Sequence, residues 1–286
     1  MDFVILDLEW NGSYSKKLGG YLNEIIEIGA IRLDEGLEVK NSFTALIRPC
    51  ITKKLCTPVK TLTSLTYEEL SKGLPFLYAY KRLSSFAKDA VIMTWSRSDL
   101  DVLISNLRFH KGDPRIRFMK KYLDLQEYVR DMLGEYCTNC PGLRTAAEIL
   151  DIDISGSDIH RALEDCILSA KCLEKLYDKE KLEAHILDAD EEFYKRMFFR
   201  PYLVYDIDSE DVDKSQMYFD CDICKGATLQ RSKWKVVNKG FQAEYFCKGC
   251  QRKFTGRITF KRKYDSVAVT KKILGTRQEK EEEKKE

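Results

Sequence analysis

The stretch Phe3-Val4-Ile5-Leu6-Asp7-Leu8-Glu9 decides the fold: four apolar residues in a row, ending in two carboxylates with one residue between them. A short Val/Ile/Leu-rich run reads as a buried strand, and residues two apart in a strand point the same way, so Asp7 and Glu9 share a face. Like charges that leave water together lose hydration and repel one another, which makes an unpaired couple at a buried strand end costly. A divalent cation removes both penalties. A strand that stops in solvent avoids them, and Asp-x-Glu alone leaves both readings open.

Working outward, Glu24-Ile25-Ile26-Glu27-Ile28-Gly29-Ala30-Ile31-Arg32-Leu33 gives a second strand and residues 42–47 a third, and the Asp34-Glu35-Gly36 turn between them fits an antiparallel hairpin. Residues 57–73 read as an irregular crossover with a short helix near Tyr67-Glu68-Glu69-Leu70, followed by the helical spacing of Leu74, Leu77, Tyr78, Leu83 and Phe86. Strand then helix recurs at 91–94 and 99–109, and again at 118–125 and 126–133. A helix follows Pro141 over 142–150. A long amphipathic helix over 161–177 turns Leu163, Ile167, Ala170, Leu173 and Leu176 inward, with Cys166 and Cys172 as core residues. A three-stranded meander followed by alternating helices and strands predicts an α/β mixed sheet covered by helices.

At 286 residues, 44% hydrophobic and 33% charged, the chain can bury a large core and carry a smaller module beside it. No apolar segment approaches the ~20 residues that cross a bilayer, and the first residues lack a secretory pattern, so a cytoplasmic protein with no membrane association is expected. Six of the ten cysteines fall in Cys-x-x-Cys pairs, which points to metal and reduced thiols rather than disulfides. The net charge of +2 hides a polarised chain: residues 178–220 carry 13 acids against 6 bases, and 221–263 carry 12 bases against 2 acids. A basic module behind an acidic linker suits nucleic acid.

Two further stretches bear on Asp7 and Glu9. In His160-Arg161-Ala162-Leu163-Glu164-Asp165, five positions on one helix would turn the two side chains ~140° apart, so His160 and Asp165 converge only if His160 sits at or before the helix start. Ser157 and Asp158 are candidate caps there. Asp99 opens the helix after the 91–94 strand, where open α/β sheets place their sites; Asp101 competes with it, and Asp99 is preferred because Leu103 then points inward.

On these motifs the chain resembles the DEDDh class of 3′→5′ exonucleases, the RNase T and DnaQ-like group with a ribonuclease H-like fold. Asp7-x-Glu9, Asp99 and His160-x-x-x-x-Asp165 match its three motifs, and Glu24 to Ala30 is very like its second strand. The approach Trp95-Ser96-Arg97-Ser98 departs from the commoner His-Asn-x-x-Phe-Asp form and is nearer the Trp-led variant of RNA-processing members. The resemblance implies two Mg²⁺ or Mn²⁺ ions, with Asp7 between them, Glu9 and Asp165 completing one site and Asp99 holding the other. It also implies that His160 deprotonates the attacking water, and that 5′-mononucleotides are released from single-stranded nucleic acid, RNA favoured over DNA. Hard oxygen ligands suit those cations, and a near-neutral imidazole suits that role. Trp10, directly after Glu9, is a candidate for stacking on a base.

Cys221-Asp-Ile-Cys224 and Cys247-Lys-Gly-Cys250 have the spacing of a tetrahedral Cys₄ zinc site. A ribbon of ~40 residues has too small a core to hold itself, so a structural Zn²⁺ is expected to supply folding energy. Lys233, Trp234, Lys235, Tyr245, Phe246, Arg252 and Lys253 are candidate nucleic-acid contacts, by charge and by stacking. Cys137 and Cys140 make half a zinc site and read as a reduced loop pair.

The expected organisation is an exonuclease domain over 1–177, an acidic and aromatic linker with a docking helix over 178–220, an all-β zinc ribbon over 221–263, and a charged tail over 264–286. The other reading is an inactive adaptor that keeps the exonuclease fold and holds nucleic acid or a protein partner through the linker or ribbon.

Overall fold

A computed structural model describes residues 1–136, 139–154 and 161–275. The chain divides into two compact units, Met1–Met197 and Phe198–Glu286.

In the first unit the elements run β1 (Phe3–Ser15), β2 (Gly20–Leu33), β3 (Val39–Leu46), α1 (Thr57–Thr63), α2 (Tyr67–Ser71), α3 (Phe76–Phe86), β4 (Val91–Thr94), α4 (Ser98–Lys111), β5 (Lys121–Asp124), α5 (Leu125–Leu133), α6 (Leu143–Ile149), α7 (Ala162–Lys175), α8 (Lys179–Ala184), β6 (Leu187–Asp188) and α9 (Glu191–Phe198). Among the described residues they form a mixed sheet in the order β3-β2-β1-β4-β5-β6. β1 pairs antiparallel with β2 and parallel with β4, which runs parallel to β5. Phe3 and Ile5 meet Ile31, Val91, Met93 and Leu123 in the core that α5, α6 and α7 close, and Cys166 and Cys172 belong to it. Val4, Leu6 and Leu8 alternate with them and are buried as well. A sheet covered on both faces explains why the opening run is apolar throughout rather than alternating.

Both glutamates of the second strand are buried, and both are partnered. Glu24 Oε1 accepts the amides of Cys50 (2.6 Å) and Ile51 (3.1 Å), pinning the start of the crossover. Glu27 is met by Arg161. Trp95 donates its indole N–H to the Pro141 carbonyl (3.2 Å) and packs in the core, so the Trp that leads the second motif has a packing role.

The acidic segment is not a free linker. α9 buries Phe193, Tyr194 and Met197 in the first unit: the Phe193 ring lies 5.7 Å from that of Tyr122, and Tyr194 exchanges hydrogen bonds with the backbone of Ile116. Residues 206–214 place Val212 in the core of the second unit with Ile207 packed against it. Two anchors a few residues apart suffice to tie down an otherwise acidic loop.

The second unit continues with β7 (Tyr202–Leu203), β8 (Thr228–Gln230), β9 (Lys235–Val237), β10 (Gly240–Cys247), β11 (Lys253–Arg262) and β12 (Val267–Leu274). Its sheet runs β12-β11-β10-β8, with β9 beside β10 and β7 beside β11. The expected tail at 264–286 begins with β12, which pairs along the length of β11, so the ribbon extends past 263. Alternating Val267, Val269 and Ile273 pack on the core, and that period of two is the signal for the strand.

Candidate active site

Asp7 and Glu9 lie mid-way along β1, and Asp165 lies on the first turn of α7. Each offers a carboxylate oxygen within 4.8 Å of the others. The pairing of β1 with β2 shifts register between Glu9 and Trp10, a local irregularity of the kind that re-aims side chains beside active sites. Trp10 directly after it is half-buried.

The approach of α7 depends on Gly29, opposite Asp7 on β2. A Cβ there would stand 2.3 Å from the Ala162 carbonyl carbon and 2.4 Å from the Leu163 amide, so only glycine lets the helix start come down on the strand. Arg161, immediately before α7, then clamps Glu27 through Nε (3.0 Å) and Nη2 (2.8 Å). Glu27 is the cross-strand neighbour of Glu9 and only 2% exposed in its side chain. This ion pair, absent from the sequence reading, ties the third motif to the sheet. Its signal was the Arg inside His-Arg-Ala-Leu-Glu-Asp together with a glutamate on an otherwise apolar strand.

Asp99 is 4% exposed, and its Oδ1 accepts the Leu8 amide at 3.1 Å, which brings it beside the Asp7–Glu9 strand. Asp101 is 37% exposed in its side chain and faces Arg97 at 3.5 Å. The geometry therefore favours Asp99 of the two. Asp99 lies outside the group of three, and the Asp124 carboxylate, which caps α5, is close enough to raise it further. His160 lies outside the described residues, as does Cys137. Cys140 is exposed, with the guanidinium of Arg130 3.4 Å from its sulfur.

Electrostatically the group is short of positive charge. Burial, and after it the charges of Asp99, Asp165, Glu9 and Glu27, hold the Asp7 carboxyl well above the usual range. Burial followed by Asp165, Glu27 and Asp99 pushes Glu9 up to about 8, against a smaller pull from Arg161. Asp99 is pushed up to about 7 by burial although the Leu8 amide stabilises its anion. Converging carboxylates that resist ionising on their own fit a divalent cation held by oxygen ligands.

In the second unit the sulfurs of Cys221, Cys224, Cys247 and Cys250 lie within 4.8 Å of one another. Cys221 and Cys250 are 3.5 Å apart and Cys224 and Cys247 3.4 Å apart. Zn–S bonds of ~2.3 Å in a tetrahedron put sulfurs about 3.8 Å apart, so the quartet fits zinc. Lys225 (φ 59°) and Gln251 (φ 61°), each just after the second cysteine of its pair, take the left-handed turn that closes each knuckle. Amides of Cys224 and Ile223 pull the Cys221 thiol down to about 7, and those of Cys250 and Gly249 help lower Cys247. Cys250 goes up to about 12: the Arg252 amide favours its thiolate, but the sulfurs of Cys221, Cys247 and Cys224 oppose a further charge.

The expected nucleic-acid contacts separate. Tyr245 is buried in the core with its ring stacked on Phe254, and Trp234 packs against the same cluster. Tyr245 presents no free face for a base, because alternate residues of β10 point inward, whereas Trp234, ahead of β9, is half-buried. Arg252 pairs with Asp222 at 3.1 Å, inside the first cysteine knuckle. Lys233, Lys235 and Lys253 are exposed, and Phe246 is half-buried beneath the guanidinium of Arg231, 5.2 Å from its ring centre.

The model of the RNase T-type exonuclease family matches residues 4–173. The probable 3′-5′ exonuclease KapD of Bacillus subtilis (strain 168) is 29% identical over 185 residues, covering 62% of this chain and 85% of that protein. Among solved structures, the nuclease domain of 3′hExo, a DEDDh family member bound to rAMP, superposes with a TM-score of 0.51 at 20% identity, over 61% of this chain and 90% of that one. A 3′-exonuclease that recognises the 3′ end of a histone mRNA stem-loop gives 0.52 at 16% identity, over 67% and 91%. The cell-death related nuclease CRN-4 gives 0.52 at 16%, over 61% of this chain and 62% of its own. At these identities the solved structures show a shared fold and nothing further.

Proposed function

This chain belongs to the RNase T-type exonuclease family, and from that premise we propose that it is a divalent-metal-dependent 3′→5′ exonuclease. It shortens single-stranded nucleic acid, RNA in preference to DNA, to 5′-mononucleotides. The observation that carries the reading is the meeting of Asp7, Glu9 and Asp165 within 4.8 Å, in surroundings that push at least Asp7 and Glu9 away from ionising. Asp7, Glu9 and Asp165 would hold one Mg²⁺ or Mn²⁺, and Asp99 with Asp7 a second. Bound there, such cations supply the charge that steadies the attacking and leaving oxygens of a phosphodiester displacement. His160 takes the proton of the attacking water, and the Glu27–Arg161 clamp ties the start of α7, which carries Asp165, to the sheet. The RNA preference draws on the Trp-led second motif and on the stem-loop and rAMP named with two of the structural neighbours. Zinc on the four cysteines holds the second unit folded, and that unit helps retain the strand being shortened.

The test is Mn²⁺- or Mg²⁺-dependent digestion of 5′-labelled single-stranded RNA and DNA by the intact chain and by Asp7→Ala. A ladder receding from the 3′ end, faster on RNA and lost in Asp7→Ala, is the expected result. Zinc-loaded, well-folded protein that cuts neither polymer would leave the adaptor reading in its place.

A further inference from the structure

The outer face of the second unit's sheet gathers Lys235 and Lys253, two of the expected contacts, into a wider cation array with Arg257, Lys261 and Lys272. β11 alternates Phe254, Gly256, Ile258 and Phe260 inward with Lys253, Thr255, Arg257, Thr259 and Lys261 outward. Outward residues recur every two positions, about 7 Å apart, so a donor stands at each step along the strand. Register extends the array sideways. Arg257 lies opposite Lys272 on β12 and Gln242 on β10, and Gln242 lies opposite Lys235 on β9; Thr259 lies opposite Thr270. Lys235, Lys253, Lys261, Thr270 and Lys272 are exposed, and Glu244 is the one acid among these strands' outward residues.

Near the centre of the face Arg257, Thr259, Thr270 and Lys272 line a cavity of about 170 Å³. Gly240 makes room for it: a Cβ there would meet the Thr259 methyl at 2.6 Å and Arg257 Nε at 3.2 Å. The Asn238–Lys239 turn, both residues left-handed, brings the Asn238 carbonyl to the Arg257 guanidinium and holds it in place. Arg257 Nε is itself buried without a hydrogen-bond partner. An unsatisfied guanidinium N–H beside a lysine and two hydroxyls matches a phosphate oxygen in charge and in hydrogen bonding.

We propose that this face binds the phosphate backbone of single-stranded nucleic acid, with the Arg257–Thr259–Thr270–Lys272 cavity seating one phosphate and Lys253, Lys261 and Lys235 its neighbours. The proposal rests on the exonuclease reading for the identity of the polymer. Charge complementarity carries it: few aromatic rings reach this face, so the contacts are to phosphates and the binding is indifferent to base sequence.

The experiment uses the full zinc-loaded chain carrying Asp7→Asn, so that substrate stays intact, and a fluorescein-labelled single-stranded RNA of twenty uridines. Anisotropy gives Kd from 50 to 200 mM KCl. Adding Arg257→Gln with Lys272→Gln should weaken binding about tenfold and lower the slope of log K against log salt by about 1.4, the value for two phosphate contacts on a single strand. If that variant loses zinc or folded signal, the exposed Lys272→Gln alone carries the test, with a slope change of about 0.7. Unchanged affinity and slope in a folded, zinc-loaded variant would overturn the proposal. So would an acidic peptide binding this face where RNA does not, which would make it a protein-docking surface. Digestion by the unsubstituted chain is read separately: a chain that cuts but holds RNA elsewhere fails this proposal alone, and one that binds here but never cuts fails the exonuclease reading alone.

Discussion

Glu9 holds its proton up to about 8 in the metal-free fold, against an ordinary value of 4.5. The folded chain thus keeps a proton that the unfolded chain releases, so stability from this group is highest below about 4.5 and falls as pH rises through about 8. Removing the proton in the fold leaves a carboxylate among Asp165, Glu27 and Asp99; a cation replaces it at no such cost. The melting temperature of EDTA-treated protein should therefore decline across that window, and Mn²⁺ should raise it more at pH 8 than at pH 5. An equal rise at both would place the ion elsewhere. At this scale the sequence was informative where chemistry lies in local spacing, as in Asp-x-Glu, whose two carboxylates meet Asp165 in the fold. It preferred Asp99 to Asp101 only on helix facing, because what separates them in the fold is a hydrogen bond to Leu8, ninety-one positions away.

α7 is held to the sheet by two devices, the bare Cα of Gly29 beneath its start and the Arg161–Glu27 pair at its first step. Replacing Gly29 with Ala forces a methyl into the Ala162 carbonyl and must lift the helix, and Asp165 with it. Overpacking of this kind costs about 1–3 kcal/mol, and a carboxylate displaced by an ångström lowers turnover on the order of 10²-fold. Urea denaturation and single-turnover digestion of Gly29→Ala measure the two separately; wild-type turnover would mean that α7 does not need this approach. The strands and helices of the first unit were legible because their apolar periods are strong. Those of the second unit were less so. Tyr245 and Phe246 are adjacent on β10, so only one of them can face outward, and composition alone could not say which. β12 was read as tail although only Lys271 breaks the inward alternation of Val267, Val269 and Ile273, and its ammonium lies over the Tyr218 ring, 3.9 Å from its centre.

Across the whole molecule, the two units draw stability from different sources. The first buries a large apolar core, whereas the second gathers a small one beside four thiols. A zinc-selective chelator should unfold the second unit and spare the first, because the binding energy of a structural zinc is folding energy. Trp234, the one tryptophan after residue 197, reports it: its emission should shift red on chelation and return with zinc, while the thermal transition of the first unit stays in place. Simultaneous loss of both units would show that they fold as one. A last consequence follows from where the carboxylates sit along the chain. Asp7 and Glu9 are synthesised some 150 residues before Asp165, which lies on the last long helix of its unit. During synthesis the early β1–β2 hairpin can form at once, yet the acidic group stays incomplete until α7 emerges. Truncation anywhere before Asp165 leaves the acidic group incomplete, and such a fragment should fail to shorten a labelled strand in the digestion assay.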